Sequence, residues 1–194
     1  MMVPRVRRLL SARRIGRDAR RGSITVLAAV TLYAIVLLGV AAWAGIQEWA
    51  DHTLVTRLLA DAADDASHRV ADGADLSGAP ALACLDPSCA PVPCPTAVAH
   101  DPEGTTAAGQ ACRALSRGLR DAYAGGRPRL DVAATLAATR VWVLAAGERD
   151  SETPTRVYHF PTVCLTTDAV IGVIGHDGLR VHHHIHACAQ AVYR

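Results

Sequence analysis

Between Gly22 and Gln47 the chain carries no charged residue, and residues 24–46 read ITVLAAVTLYAIVLLGVAAWAGI. A bilayer core of about 30 Å takes about 20 helical residues, so this run is long enough to cross a membrane as one tilted helix. Thr25 and Thr31 are no obstacle, because their hydroxyls can bond back to helix carbonyls. Trp43 and Trp49 stand at the far end, where indole rings favour the lipid–water interface. The near end is flanked by Arg5, Arg7, Arg8, Arg13, Arg14, Arg17, Arg20 and Arg21. The positive-inside rule keeps such a flank cytoplasmic and sends everything after Gln47 across the membrane. A nucleic-acid-binding arm has the same composition, but a cluster abutting an apolar span reads as a topology determinant. The expected partner is membrane lipid, with no nucleic acid. A cleaved secretory signal remains an alternative, since Ala42-Trp43-Ala44 has the small-x-small form of a cleavage site. The apolar run, however, exceeds the usual signal core of about 7–15 residues.

Charge is divided as unevenly as hydropathy. Residues 1–22 hold eight arginines against Asp18, a net of +7, and residues 23–194 hold twelve arginines against seventeen acids, a net of −5. The boundaries this suggests are an arginine-rich tail at 1–22, a membrane-spanning and extended helix at 23–72, and an exported domain at 73–194. Helical character persists past the membrane. Leu54, Leu58, Ala62 and Ala66 recur every four residues with Val55, Leu59, Ala63 and Val70 beside them, opposite Asp51, Arg57, Asp61, Asp64, Asp65 and Arg69. Continuous helix over 24–71 is about 70 Å long at about 1.5 Å per residue. Its stripe requires a partner, either the domain's own sheet or another subunit. Gly73 and Gly78-Ala79-Pro80 are the expected stop.

Residues 73–106, with six prolines and the run CLDPSCAPVPCP, read as an irregular loop held by cross-links. An amphipathic helix follows at 106–124, with Ala108, Cys112, Leu115, Leu119 and Tyr123 on one face, closed by Gly125-Gly126. The rest, 139–194, reads as β-branched strands at 140–144, 156–160, 163–167, 169–174 and 179–186, with a hairpin turn at residues 175–178. The fold class is α+β: a long N-terminal transmembrane helix leading into a small exported domain with an antiparallel sheet and disulfides.

Six cysteines, Cys84, Cys89, Cys94, Cys112, Cys164 and Cys188, fit disulfides on the oxidising side of a membrane. A hairpin centred on His176 places Cys164 opposite Cys188 as a cross-strand pair. The other four would tie the proline-rich loop to itself and to the helix through Cys112, in a pairing the spacing leaves open. The spacing of Cys84, Cys89 and Cys94 does not match a CxxC zinc knuckle. His182, His184 and His186 point with Cys188 to one face of the last strand, and Val181, His183 and Ile185 to the other. Three imidazoles at two-residue intervals are metal-ligand candidates, and they compete with a plain solvated face on which His184 pairs with Asp168 across the strands. There is no phosphate-binding glycine loop, no GxSxG and no HExxH, so no enzyme, cofactor or small-molecule substrate is expected.

Arg21-Gly22-Ser23-Ile24-Thr25-Val26-Leu27, followed by an aliphatic span and then Leu59-Ala60-Asp61-Ala62-Ala63-Asp64-Asp65-Ala66, resembles the TadE/TadG-like proteins of tight-adherence (Flp-type) pilus assembly. The similarity covers residues 20–66 and is closest to the short TadE-like proteins of actinobacteria. TadE-type pseudopilins are cut after a glycine that is followed five residues later by Glu. Gly22 and Ser23 match the cut site, whereas Leu27 stands in place of the Glu. The chain is short for the TadG branch and has no DxSxS site. The resemblance implies a membrane-anchored, pseudopilin-like structural component of a pilus or secretion apparatus, touching other subunits through its N-terminal helix. A membrane-tethered metal-binding module using the 182–186 strand is the alternative.

Overall fold

Helical periodicity runs unbroken through the apolar stretch and beyond it, as α1 (Arg5–Ser77). The computed structural model describes residues 5–77, 91–124, 129–172 and 180–191, with the side chains of the first segment described from 25 to 70. Gly73, expected to stop the helix, lies inside it. One glycine costs a helix about 1 kcal/mol relative to alanine, which neighbouring turns can absorb. The chain divides into two units, Met1–Ile46 and Gln47–Arg194. In the first, every side chain from 25 to 46 except Ala44 is exposed, although nearly all are apolar. The Thr31 hydroxyl donates to the Ala28 carbonyl at 2.9 Å, the back-bond that lets a hydroxyl sit in an apolar helix.

In the second unit the stripe on α1 is consumed by its own domain. Val55, Leu59, Ala62, Ala63 and Ala66 are buried, and Leu54 and Leu58 pack half-buried against the same core. They share that core with α3 (Ala107–Tyr123), which contributes Ala108, Ala111, Cys112, Leu115, Leu119 and Tyr123. A methyl group at Gly118 would press on the Leu58 side chain, so glycine there permits close approach of the two helices. Polar contacts fix the pairing: the Tyr123 hydroxyl donates to Asp51 at 3.2 Å, and Gln110 donates to Asp65 at 2.9 Å and accepts from Arg69 at 2.6 Å.

The sheet is an antiparallel meander in the order β1 (Val92–Pro93), β2 (Arg140–Leu144), β3 (Thr162–Gly172), β4 (Arg180–Gln190). β2 matches its expected span. β3 merges the two strands expected at 163–167 and 169–174, passing Asp168 without a bulge. The expected turn at 175–178 lies outside the described residues. One face of the sheet joins the helical core through Val141, Val143, Val163, Leu165, Ala169, Ile171 and Ile185. The other face carries a smaller cluster of Trp142, Leu144, Tyr158 and Cys164, with Cys188 packed against it.

Two segments depart from the sequence expectation, and a third, residues 132–138, carried none. The proline-rich stretch contains β1 and α2 (Cys94–His100), because Pro95 falls in the first turn, where its missing N–H costs nothing. Residues 132–138 form α4 (Val132–Ala138), capped by the Asp131 carboxylate accepting from the Ala134 N–H at 3.0 Å. Residues 156–160 are not a strand. Only an isolated bridge joins Arg149 to Val157, and Arg156, Val157, His159 and Phe160 are exposed.

Candidate functional site

Eleven consecutive pairs lock β3 to β4, from Thr162↔Gln190 to Gly172↔Arg180. That register puts Cys164 beside Cys188, Asp168 beside His184, Thr166 beside His186 and Val170 beside His182. Cys164 and Cys188 are joined by a disulfide. A second disulfide, Cys94–Cys112, ties α2 to α3. Cys84 and Cys89 lie outside the described residues. Gly22 and Ser23 lie within α1.

The histidine face is not open along its length, because the β2–β3 connection brings Asp150 and Glu152 onto it. His184 sits between two carboxylates, with Nδ1 3.0 Å from Asp168 and Nε2 3.1 Å from Glu152. Asp168 first, then Glu152, favours the doubly protonated ring, and together they outweigh the opposing effect of burial and raise the His184 pKa. His186 turns elsewhere. Its Nε2 lies 3.2 Å from Asp150 Oδ2 and 3.2 Å from Cys188 Sγ, and its ring stacks on Trp142 with centroids 5.7 Å apart. Asp150 is held by the Glu152 N–H at 3.2 Å and the Thr153 hydroxyl at 2.7 Å. His182 is exposed.

Among the described residues, the metal-type donors that converge are therefore Asp150, Cys164, His186 and Cys188, whose ligand atoms all lie within 4.8 Å of one another. His182 and His184 stand outside that group. The alternation of β4 is legible in the sequence, but the two acids from the preceding connection are not, since neither lies near the histidines along the chain. On the opposite face His183 contacts Glu48 of α1 at 3.0 Å and meets His52 edge-on. A further charged feature is an open cleft of about 550 Å³ lined by Arg69, Gln110, Arg113, Arg117 and Arg120.

Asp101 is structural. Burial would raise its pKa, but the N–H and hydroxyl groups of Thr106 and Thr105 all donate to its carboxylate and hold it well below the usual carboxylate range. This clamp sets up Thr106, whose hydroxyl caps α3 by accepting from the Gly109 N–H. The chain matches no family model, no curated protein and no solved structure.

Proposed function

We propose that this chain is a membrane-anchored, pseudopilin-like structural component of a Tad-type pilus or secretion apparatus, with a cytoplasmic N-terminus and an extracytoplasmic domain. The observation that carries the reading is the exposed apolar surface of α1, made by Val26, Leu27, Val30, Leu32, Ile35, Val36, Leu38 and Val40. An apolar surface of that extent is stable in lipid or against other apolar helices, not in water. The stripe beyond residue 50 is already covered by α3, so subunit contacts through the N-terminal helix fall to the apolar span. The disulfides fit an oxidising compartment. The resemblance at residues 20–66 supplies the apparatus. The alternative in which His182, His184 and His186 jointly hold a metal draws less support, because His184 is taken up by Asp168 and Glu152.

The test uses native cells. The chain is expected to resist alkaline extraction from membranes, to lose its domain when protease is added outside, and to cross-link through a photoreactive residue at Val36 to another subunit of the pilus apparatus. Deletion is expected to abolish surface pili, with rescue by the intact chain. Recovery in the soluble fraction, or unchanged piliation after deletion, refutes the proposal.

A further inference from the structure

We infer that Asp150, Cys164, His186 and Cys188 are a redox-gated metal site, which binds one zinc-class divalent cation in tetrahedral geometry once the Cys164–Cys188 disulfide is reduced. The inference stands independently of the pilus reading.

The geometry is nearly assembled. Zinc bonds sulfur at about 2.3 Å and nitrogen or oxygen at about 2.0–2.2 Å, so neighbouring ligands of a tetrahedral centre sit roughly 3.3–3.8 Å apart. His186 Nε2 is 3.2 Å from Asp150 Oδ2 and 3.2 Å from Cys188 Sγ, and Cys188 Sγ is 3.9 Å from Asp150 Oδ2. Three edges of the tetrahedron thus exist with the cystine intact. The two sulfurs must part, with Cys164 Sγ already within 4.8 Å of the His186 and Asp150 ligand atoms, and the register on both sides of the pair keeps them adjacent when they do. Two thiolates, an imidazole and a carboxylate form a donor set of the kind zinc takes.

The surroundings are those of a built site. The Asp150 side chain is 0 % exposed and that of His186 18 %, so water competes weakly. Thr153 and the Glu152 N–H orient the carboxylate, and Trp142 fixes the imidazole plane. Outer contacts of this kind commonly set metal affinity. The gate is chemical. A dithiol reductant gives up two electrons and two protons to the disulfide, becoming a disulfide itself and leaving two thiols. Metal binding then releases the two thiol protons, with His186 neutral and Asp150 ionised. The cystine offers no thiolate, so the oxidised chain has no such site.

The experiment titrates the full chain, purified in detergent, with cobalt(II) under anaerobic conditions before and after treatment with a dithiol that is then removed. The oxidised chain is expected to show no thiolate-to-cobalt charge transfer. The reduced chain is expected to bind one cobalt with the intense visible bands of a tetrahedral centre, displaced by zinc. His186→Ala should weaken binding by at least about tenfold, and Cys164→Ser/Cys188→Ser should remove the charge-transfer bands. Alkylation of the reduced wild-type chain, followed by peptide mass spectrometry, keeps the test decisive if a variant fails to fold. Zinc should protect Cys164 and Cys188. Protection of Cys84, Cys89, Cys94 or Cys112 in their place, or no cobalt signal from the reduced chain, overturns the assignment.

Discussion

Asp101 shows how much of this domain rests on single polar side chains. Its carboxylate accepts four hydrogen bonds from Thr105 and Thr106, between 2.7 and 3.0 Å, at a position only 6 % exposed. Asp101→Asn keeps the shape but loses the charge and part of the acceptor capacity, and should cost about 1–3 kcal/mol, read from urea unfolding of the full chain in detergent. Because the folded pKa is depressed, the charge contributes stability that is full above the ordinary carboxylate value of about 3.9 and is lost as pH falls towards the folded value. The variant should therefore flatten the acid limb of the stability curve. His184 has the opposite sign. Its folded pKa is raised, so its contribution is full below the ordinary imidazole value of about 6.5 and disappears as pH rises through the folded value. His184→Gln should lower stability at about pH 5.5 and leave it unchanged at about pH 9. The effect will be small, since the side chain is 55 % exposed and its ion pairs are screened. An equal loss at both pH values would show that the ring acts by packing.

At the scale of elements, α1 and α3 meet closely where Leu58 faces Gly118. Leu58 reaches across to Gly118 and borders the core, so Leu58→Asp would force a carboxylate into an apolar seam and should cost at least about 2 kcal/mol, by the same unfolding measurement. Unchanged unfolding would mean the seam is not a packing surface. Both helices were legible because each keeps a long apolar period: Leu54 to Ala66 on one, Ala108 to Tyr123 on the other. The β3–β4 register was legible too, because the described pairs run without a bulge in the register expected from the sequence. The short elements were not. α4 has seven residues, VAATLAA, too few for a periodic face, and its one clear signal is Asp131 in the cap position. In α2 the prolines suggested irregular chain, although Pro95 in the first turn favours a helix start. The site was legible by half. Alternation on β4 gave His186 and Cys188 a common face, but Asp150 reaches that face through tertiary folding of a connection with no local pattern.

For the whole molecule, topology and cystine chemistry are one problem. The flank at residues 1–22 carries a net charge of +7 and the remainder −5, so under the proposed topology the orientation bias rests on the arginines before Ile24. Those arginines should therefore control whether Cys164 and Cys188 meet an oxidising compartment. Replacing Arg13, Arg14, Arg17, Arg20 and Arg21 with Asn leaves every residue of the domain unaltered, so a change in thiol state cannot come from altered packing. Mixed or inverted insertion is expected, with the inverted population keeping Cys164 and Cys188 reduced in the cytoplasm. Rapid acid quenching of cells, followed by alkylation with a mass-shifting reagent, reads the two populations as separate bands. Protease accessibility of the domain should divide in the same ratio. If the thiols stay fully oxidised and the domain stays outside despite the loss of five charges, the arginine flank does not set the orientation, and the apolar helix must be inserted by some other determinant.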